Sequence, residues 1–398
     1  MRILFLCEGD AESWDSWSGI SKSIVDYIRA AGHEVIVANV DVAGVDRWLA
    51  AGATFAPARR RWATRYHLGA APFWLRSRRA RRHILTERER IDGIVQIGST
   101  FEPRGRGDIP YFVCSDSNIR VAQQGASSGF SDATPLTHAE LEGIAGREGR
   151  VYRSASAIFP LSERLRRSFI DDFGIAADRV KAIYAGPNFD VARVPVGAVQ
   201  NAQPHPPTVL FVGRQYHRKG GDLLVESFRK VRTCLPDARL MIAGLPPGYI
   251  DVAGVTCLGD LDKGTDAGWH ALSNAYASAD VFALPTRFEP FGIAFVEAMH
   301  FGLPCIGPQA WAVPEIIANG ETGFTVPVDD VDRLTDRLLQ LLMQPDLARR
   351  MGEAARVRAR ELFTWPRVVR RMLEVMTPFV DARGQSRITA PLASALPQ

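Results

Sequence analysis

The chain of 398 residues has few cysteines and no long apolar run. Its five cysteines are scattered along the sequence, and no two of them have the CxxC spacing of a metal or redox motif. This usage predicts neither a disulfide framework nor a zinc site, and it favours a reducing cytoplasmic compartment. No apolar run approaches the roughly 20 residues that a membrane-spanning helix needs. The sequence therefore excludes an integral membrane protein of the helical type.

Neither sign of charge is in large excess. There are 48 basic and 44 acidic residues, which leaves a formal net charge of +4. So close a balance argues against nucleic acid as a partner. A hydrophobic content of 46% with 23% charged residues is typical of a folded protein. Because the chain is longer than one compact core usually holds, we predict two domains.

Short apolar segments alternate with longer segments of helical periodicity, which is typical of βαβ units. The predicted strands of the first half are Ile3–Cys7, Val35–Val40, Gly93–Gln96, Tyr111–Val113, Ala157–Pro160 and Val180–Ile183. Those of the second half are Thr208–Val212, Arg239–Ala243, Val255–Cys257, Val281–Leu284, Pro304–Gly307 and Gly323–Val326. We therefore predict an α/β fold with two Rossmann-like, doubly wound parallel sheets. Their strand ends should face each other across a cleft and bind a ligand there.

Five segments follow from this division. The first domain is predicted at residues 1–193, and the aperiodic segment VARVPVGAVQNAQPHPP suggests a linker at 194–207. The second domain is predicted at 208–364. A closing helix at 365–382 is expected to return to the first domain, and 383–398 is expected to be a loose tail.

A basic, glycine-containing loop lies between the strand Thr208–Val212 and the helix predicted at Leu223–Arg232. Its sequence is GRQYHRKGGD, from Gly213 to Asp222. Glycines allow a close backbone approach, the following helix offers free N–H groups, and Arg214 and Lys219 add positive charge. The loop is suited to a phosphate, although a solvated polar loop is the alternative. It matches neither the P-loop nor the GxGxxG dinucleotide motif.

Two glutamates mark the segment FEPFGIAFVEAM. Glu289 lies in the loop before a helix that Pro290 and Gly292 open, and Glu297 lies eight residues further on. A wholly helical segment would separate them by about 12 Å, which is too far for a shared proton. Glu297 has apolar neighbours, where a carboxylate without a partner would be costly. We predict that each glutamate holds a different part of one ligand.

The two motifs together resemble the retaining glycosyltransferases of family 4, known also as glycosyl transferases group 1. GRQYHRKGG and EPFGIAFVE carry the resemblance, with LPTR before and AMHFGLPCIG after the second motif. The segment IFPLSERLRRSFIDDFGIAADRVKAIYAGPNFD is similar to the family's crossover region. The resemblance implies the GT-B fold, a nucleoside diphosphate sugar as donor, and transfer with retention of configuration.

The resemblance also implies roles for individual residues. Arg214 and Lys219 would bind the donor diphosphate, and Glu297 would hold the ribose. Glu289, with the backbone amides of the residues after it, would hold the sugar and phosphate. The full set of expected donor-binding residues is Gly19, Gly213, Arg214, Lys219, Lys263, Glu289, Phe291, Gly292, Ile293 and Glu297. The expected catalytic residues are Glu289, Arg214, Lys219 and Asp116.

Two of these residues have structural alternatives. Gly19, in WDSWSGI, resembles the family's first glycine loop, but the same segment could be a helix entry capped by Ser18. Asp116 occupies the place where many family members carry a histidine. It could hold sugar hydroxyls, or it could cap the next helix.

The segment GDLDK also allows two interpretations. Lys263 lies where relatives place a residue beside the nucleotide. Asp260 and Asp262 match the D-x-D pattern of a metal site, but we interpret them as turn residues. Arg214 and Lys219 already supply the positive charge that a metal would bring, so no metal and no cofactor are expected.

Residues 59–90 contain eleven arginines with interspersed aromatic side chains. Such a surface is suited to an anionic leaflet or to a lipid-linked acceptor. In the alternative, the thin stripe of Phe73, Ala80 and Ile84 packs on the first domain and leaves a solvated basic face. The expected location is cytoplasmic, with peripheral contact at the inner face of the membrane.

The function that these features predict is sugar transfer from a UDP- or GDP-sugar to the hydroxyl of a sugar or a lipid-linked acceptor. Polysaccharide or glycolipid synthesis is the expected context. A sugar-nucleotide epimerase and a non-catalytic sugar-nucleotide-binding module are the alternatives. A NAD-dependent dehydrogenase is disfavoured, because neither first loop has the GxGxxG motif.

Overall fold

The computed structural model describes residues 1–14, 16–195 and 205–389. The first half of the chain forms a five-stranded parallel sheet. The strand order is β2-β1-β3-β4-β5. The strands are β1 (Arg2–Cys7), β2 (Glu34–Asn39), β3 (Gly93–Ile97), β4 (Tyr111–Ser115) and β5 (Ala157–Pro160). Every residue of β3, β4 and β5 is buried, as expected for a sheet covered by helices on both faces.

The second half forms a six-stranded parallel sheet in the order β11-β10-β9-β6-β7-β8. Its strands are β6 (Thr208–Val212), β7 (Arg239–Ala243), β8 (Val255–Gly259), β9 (Val281–Ala283), β10 (Cys305–Pro308) and β11 (Gly323–Val326). The chain starts in the middle at β6, winds outward to β8 and returns to the other side at β9. The crevice for a ligand in such a sheet lies between the first and fourth strands, which are β6 and β9.

Fourteen α-helices are present in the described part of the chain. In the first half they are α1 (Ile20–Ala30), α2 (Val45–Ala53), α3 (Arg59–Leu68), α4 (Ala70–Glu87), α5 (Ile119–Gln124), α6 (His138–Ser154) and α7 (Glu163–Asp171). The second half contains α8 (Gly221–Cys234), α9 (Asp266–Ala277), α10 (Ile293–His300), α11 (Val313–Ile316), α12 (Val331–Met343), α13 (Pro345–Leu362) and α14 (Trp365–Thr389). None of these helices is both long and apolar enough to cross a membrane.

The predicted strand Val180–Ile183 is not a strand in the structure. Val180 forms an isolated parallel bridge with Ile158, and Ile183 N–H donates to the carbonyl of Pro160 at 2.9 Å. The next bridge would require a donor N–H from Pro160, which a proline lacks. The segment therefore lies extended beside β5 without forming a sixth strand.

The last helix extends beyond its predicted end. α14 packs against α1 and β5 of the first half, and Trp365 Nε1 donates to the carbonyl of Pro187 at 2.8 Å. The buried Arg383 donates to the carbonyl of Ile91 at 2.6 Å, which holds the helix where a loose tail was expected. The tail prediction is therefore wrong for residues 383–389, and 390–398 lie outside the described residues. Most of the predicted linker, 196–204, also lies outside them.

Helix α7 connects the two halves at a second point. Its backbone N–H groups at Glu163 and Arg164 each donate to the carboxylate of Glu315 at 2.7 Å. Glu315 belongs to α11 of the second half, and a carboxylate at a helix N-terminus is favourable electrostatically. Two hydrogen bonds of this kind bring the first half of the chain against the second.

Candidate functional site

Three adjoining cavities occupy the cleft between the two sheets. The loop cavity, of about 290 Å³, is lined by Trp14, Ser18, Asn188, Val212, Gly213, Arg214, Ala243, Gly244, Asp260, Leu261, Asp262, Lys263 and Leu272. The central cavity, of about 210 Å³, is lined by Ser18, Ile20, Asp116, Asn188, Val212, Lys219, Lys263, Glu289, Pro290, Phe291, Gly292, Ile293, Ala294 and Glu297. Most of the residues singled out from the sequence thus line one of these two cavities.

The third, N-terminal cavity has a volume of about 220 Å³. It shares Asp116 and Pro290 with the central cavity and extends into the first half of the chain. Polar groups from five segments line it: His67, Ser99, Thr100, Ser115, Asp116, Ser117, Asn118, Asp132 and Glu148. The cavity is therefore suited to a ligand with several hydroxyl groups.

The basic loop after β6 is held by glycine geometry. Gly220 has a φ of 73° and precedes α8, and a Cβ at this position would lie 2.0 Å from the carbonyl oxygen of Pro285. Only glycine permits this approach, because other residues rarely adopt a positive φ. The loop after β6 is thereby brought against the loop after β9, at the crevice between the two strands.

Arg214 and Lys219 lie in neighbouring cavities. Lys219 is largely buried and forms an ion pair with Glu289. Burial lowers the pKa of the Lys219 ammonium, and the charge of Glu289 opposes that shift. Arg214 lies in the loop cavity, where its side chain is 65% exposed and its Nε lies 2.8 Å from Asp260 Oδ1. Lys219 is thus a buried charge beside the second motif, and Arg214 is a surface charge at the entrance.

The N-terminus of α10 faces the central cavity. Gly292 precedes the helix with a φ of 109°, and Phe291, Gly292 and Ile293 all line the cavity. The first N–H groups of a helix have no partner within it and attract an anion. This geometry places free backbone donors beside the buried ammonium of Lys219.

The two glutamates of the second motif are both buried, and each has a lysine partner. Glu289 pairs with Lys219, and Glu297 pairs with Lys263. Glu297 Oε2 also accepts from the hydroxyl of Tyr276 at 3.1 Å. The central cavity is therefore lined by two carboxylate–ammonium pairs, one at each glutamate.

Asp116 directly follows β4 and lies between the central and N-terminal cavities. Its pKa is raised to about 6, mainly by burial and further by the negative charges of Glu289 and Asp132. It does not cap the next helix, because Val121 N–H donates instead to Asn118 Oδ1 at 2.9 Å. The capping alternative for Asp116 is therefore wrong.

In the first glycine loop, too, the structure contradicts the alternative in which Ser18 caps the helix. Trp17 and Ser18 have φ values of 51° and 52°, and Gly19 precedes α1 with a φ of 79°. No side chain caps α1, so Ser18 is not a cap. A Cβ at Gly19 would lie 2.7 Å from the ring of Trp14. Gly19 shapes the wall that Ser18 and Trp14 present to the loop cavity.

The two aspartates of the segment after β8 differ in structure. Asp262 lies in a turn, whereas Asp260 forms an ion pair. Asp262 Oδ1 accepts from Gly264 N–H at 2.8 Å, which confirms the turn interpretation for this residue. Asp260 pairs with Arg214. In the described ranges, no group of three or more metal-ligating side chains could hold a metal ion.

Three residues of the site were not predicted from the sequence. Asn188 N–H donates to Glu297 Oε1 at 3.2 Å, and its side chain donates to the carbonyl of Ser18. Tyr276 contacts Glu297 from α9. Glu148, whose pKa burial raises to about 7, accepts from Ile119 N–H and Ser99 Oγ at 3.0 Å each. For Asn188, the available signal was a polar residue between Pro187 and Phe189. The sequence around Tyr276 gave no such signal.

The arginine-rich stretch forms α3 and α4. Phe73, Ala80 and Ile84 are buried in the core of the first half, which confirms that this stripe packs inward. Six of the eleven arginines form ion pairs: Arg61, Arg65, Arg76, Arg78, Arg88 and Arg90. The stretch is thus less positive than its composition indicates, and its predicted membrane contact stays a prediction.

Comparison with known protein families finds a match over most of the second half of the chain, which contains both motifs. Residues 198–358 match the family described as glycosyl transferases group 1. The chain is 34% identical over 171 residues to the sulfoquinovosyl transferase SQD2 of Arabidopsis thaliana, a match that covers 42% of this chain and 32% of that protein. It is 30% identical over 249 residues to the D-inositol 3-phosphate glycosyltransferase of Gordonia bronchialis, which covers 57% and 53% respectively. The chain thus spans about half or less of the length of these curated relatives.

The fold itself resembles that of a solved structure over nearly the whole chain. Sucrose-phosphate synthase from Thermosynechococcus elongatus superimposes with a TM-score of 0.72 at 19% identity, covering 96% of this chain and 100% of that one. Two parallel-sheet domains facing across a cleft are the GT-B architecture, and the fold prediction is confirmed.

Proposed function

We propose that the protein is a retaining glycosyltransferase that moves a sugar from a nucleoside diphosphate sugar to an acceptor hydroxyl. The match of residues 198–358 to glycosyl transferases group 1 supports sugar transfer. Retention rests on the resemblance of GRQYHRKGG and EPFGIAFVE to the retaining family. A UDP- or GDP-sugar is the proposed donor, and no metal or cofactor is assigned to the reaction.

One observation carries the proposal: Lys219–Glu289 and Lys263–Glu297 are ion pairs that line the same small cavity. Buried ion pairs stay stable only while each charge keeps a partner. A ligand can replace both partners only if it offers anionic oxygens to the lysines and hydroxyl donors to the glutamates. A nucleoside diphosphate sugar carries diphosphate oxygens and sugar hydroxyls on one molecule.

The proposed placement of the donor follows the cavities. The base would occupy the loop cavity, and the ribose would lie near Glu297 in the central cavity. The diphosphate would meet Lys219, Arg214 and the N–H groups at the start of α10, and the sugar would lie near Glu289. In this position the positive groups surround the oxygens on which charge develops as the glycosidic bond breaks.

The proposed reaction uses attack on the same face as the departing group. The acceptor oxygen forms a bond to the anomeric carbon, the bond from that carbon to the diphosphate breaks, and the diphosphate takes the acceptor proton. Lys219 and the amides near Gly292 stabilise the departing diphosphate. A glycosidase-like mechanism would instead need a carboxylate pair about 5 Å apart, and the two glutamates here are each paired with a lysine.

The N-terminal cavity is the proposed acceptor site. It opens into the central cavity at Asp116, and its lining of hydroxyl, amide and carboxyl groups is suited to a polyhydroxylated acceptor. Asp116 would contact hydroxyls at the junction of donor and acceptor. A sugar or lipid-linked acceptor, synthesis of polysaccharide or glycolipid, and a cytoplasmic location at the inner face of the membrane complete the proposal.

The test is a thermal-shift panel of UDP-, GDP-, ADP- and CMP-sugars followed by assay of the stabilising donor. A ligand at 100 times its dissociation constant stabilises the folded state by about 2.7 kcal/mol. We expect one nucleotide class to raise the melting temperature, and transfer to be detected when acceptor sugars are added. Turnover of the donor to an epimer without acceptor would assign the protein to the epimerases. Stabilisation without hydrolysis, epimerisation or transfer would assign a binding module.

A further inference from the structure

An exposed apolar surface is formed by α2 and the segments next to it. Four side chains are exposed to an unusual degree: Val45 (74%), Trp48 (78%), Leu49 (59%) and Phe55 (61%). Trp62 of α3 packs edge-on against Phe55, with 5.7 Å between the ring centroids. We call these five residues the Trp48 patch. Single exposed apolar residues are ordinary in proteins, but a contiguous cluster marks an interaction surface.

The Trp48 patch is built into the fold rather than left by a loose segment. Val45, Trp48 and Leu49 follow the i, i+3, i+4 spacing that places side chains on one helix face. Trp62 Nε1 donates to the carbonyl of Ala51 at 3.0 Å, and Arg65 Nη1 donates to the carbonyl of Phe55 at 2.9 Å. These bonds hold the end of α2 and the following loop against α3, so the apolar groups stay outward.

Positive charges outnumber negative ones around the patch, where Glu140 of α6 pairs with both Arg61 and Arg65. Residues 43–62 contain Arg47, Arg59, Arg60 and Arg61 but only one acidic residue, Asp46, which is paired with Arg78. Arg47 and Arg59 are exposed, and in the described part of the chain neither forms an ion pair. Exposed apolar and aromatic residues on a helix bordered by arginines are the pattern of a helix that lies in an anionic membrane interface.

We propose that the Trp48 patch inserts into an anionic lipid surface, with Arg47 and Arg59 at the headgroups. The proposal moves the membrane contact from the arginine-rich residues 59–90 to α2 and the start of α3. A second copy of the chain fits the patch less well. A twofold contact through it would bring Arg47 and Arg59 of both copies together without acidic partners.

The position of α3 connects this surface with the proposed acceptor site, and this part of the inference rests on the proposed function. Trp62 belongs to the patch, while His67 and Leu68 at the end of the same helix line the N-terminal cavity. Trp62 and His67 are five positions apart in the helix, which corresponds to a rise of about 7.5 Å. Insertion of the patch would hold the mouth of the N-terminal cavity near the bilayer, where the headgroup of a lipid-linked acceptor lies.

The experiment is co-sedimentation of the full chain with two kinds of vesicle. One contains phosphatidylglycerol in phosphatidylcholine, and the other contains phosphatidylcholine alone. We expect binding to the anionic vesicles. The double variant Trp48→Ala/Leu49→Ala should lower the partition coefficient at least about tenfold. Met343→Ala, an equally exposed apolar residue on α12, is the matched control and should bind like the wild type.

A second pair of variants tests the charges. Arg47→Gln/Arg59→Gln should reduce binding to the phosphatidylglycerol vesicles about fivefold for each arginine. Binding to the vesicles of phosphatidylcholine alone should not change. Arg239→Gln/Arg350→Gln, two exposed arginines of the second half, serve as the control. Equal binding by wild type and Trp48→Ala/Leu49→Ala would overturn the proposal, and so would equal binding to both kinds of vesicle.

Two further measurements separate the remaining outcomes. If sedimentation velocity shows a dimer that Trp48→Ala/Leu49→Ala dissociates, the patch belongs to a second copy and the lipid proposal is wrong. Donor binding by thermal shift should be the same in all patch variants, because none of these residues lines the loop or central cavity. Vesicle binding without any donor binding would refute the proposed function but leave the lipid surface standing.

Discussion

At the scale of single residues, the site is defined by its two lysine–glutamate pairs. Lys219 and Glu289 come from the loops after β6 and β9, and Lys263 and Glu297 come from the loop after β8 and from α10. Each pair neutralises itself in the absence of ligand. A donor that takes both partners of a pair exchanges one set of charged contacts for another, so binding does not leave a buried charge unpaired.

Removal of the positive side chains of the basic loop after β6 should weaken binding of the donor. Arg214→Ala or Lys219→Ala removes a charge-assisted contact, which is worth roughly 1.5–3 kcal/mol. We expect turnover at subsaturating donor to fall at least about tenfold for each variant. Initial rates measure this, with the exposed Arg239→Ala as a control and thermal melting as a check of folding. Full activity in a folded Arg214→Ala/Lys219→Ala variant would contradict the phosphate-loop assignment.

Changing each of the two glutamates to glutamine should affect nucleotide binding and the rate of transfer differently. Glu297→Gln should weaken binding of the nucleoside diphosphate and of the nucleotide sugar alike, because we propose that Glu297 binds the ribose. Glu289→Gln should spare nucleoside diphosphate affinity and lower the rate of transfer by a factor of roughly 10²–10³, if its sugar contact strengthens in the transition state.

Calorimetric titration of both glutamine variants with the product nucleotide, beside their initial rates, measures the difference. Glu297 already accepts from Asn188 and Tyr276, so thermal melting must show that Glu297→Gln is folded. If Glu289→Gln lost product binding while Glu297→Gln kept it, the proposed sugar and ribose roles of the two glutamates would have to be exchanged.

Asp116 should make stability depend on pH. Its pKa is raised from 3.8 to about 6, chiefly by burial. The proton is therefore bound more tightly in the folded state, and stability is lost as the pH rises from about 4 through about 6. Relative to Asp116→Asn, the wild type should lose up to about 3 kcal/mol over this range.

Urea unfolding of wild type and Asp116→Asn at a series of pH values measures this loss. The difference between the two proteins isolates Asp116 from Glu148, whose pKa is also raised. The exposed Asp171→Asn is the control. A difference between wild type and Asp116→Asn that does not change between pH 4 and 7 would show that Asp116 ionises as freely in the folded chain as in the unfolded one.

At the scale of elements, the site depends on how two strand–loop–helix units meet. The loop from β6 to α8 lies against the loop from β9 to α10, at the crevice where the direction of winding reverses. Gly220 is the point of closest approach, since its missing Cβ accommodates the carbonyl of Pro285. The relative position of Lys219 and Glu289 follows from this contact.

Gly220→Ala should displace the phosphate loop as well as destabilise the fold. The positive φ alone costs an alanine roughly 1–2 kcal/mol, and the overlap with Pro285 adds to this. Gly174→Ala is the matched control, because Gly174 also has a positive φ but no neighbour within 4 Å of its Cβ position. We expect both variants to lose stability in urea unfolding, and only Gly220→Ala to lose donor binding. Equal donor affinity in the two variants would contradict this.

At the scale of the whole molecule, the cleft is lined by residues of both domains. The loop cavity and part of the central cavity combine second-half residues with Ser18 and Asn188 from the first half. Two contacts connect the halves away from these cavities: Glu315 of α11 accepts from the first N–H groups of α7, and Trp365 donates to the carbonyl of Pro187. A site assembled in this way can enclose a donor between two covered sheets and limit the access of water.

The proposed transfer reaction should not need a divalent cation. Lys219, Arg214 and the N–H groups of α10 are the proposed partners of the diphosphate, in place of a metal ion. We expect initial rates in excess EDTA to equal those without it, with a known metal-dependent transferase inhibited in parallel. Complete loss of activity that manganese or magnesium restores would refute the metal-independent assignment.

Much of the architecture could be predicted from local patterns. Apolar segments of three to six residues separated by helical periodicity predicted eleven strands that the structure contains, because burial of a parallel strand leaves a local signature. The twelfth, Val180–Ile183, failed because Pro160 of its neighbour has no N–H to donate. Glycines and charges at strand ends also marked the two loops of the second half without any knowledge of the tertiary structure.

Only the tertiary structure shows which side chains pair with each other in the site. Sequence patterns do not show that Lys263 lies on Glu297, that Asn188 and Tyr276 contact the same carboxylate, or that Arg214 pairs with Asp260. The exposure of Trp48 is likewise invisible in the sequence, where α2 resembles any amphipathic helix. The physical reason is that periodicity indicates which side chains share one face of a helix or strand, whereas ion pairing and exposure depend on which segments, often far apart in the chain, pack against that face.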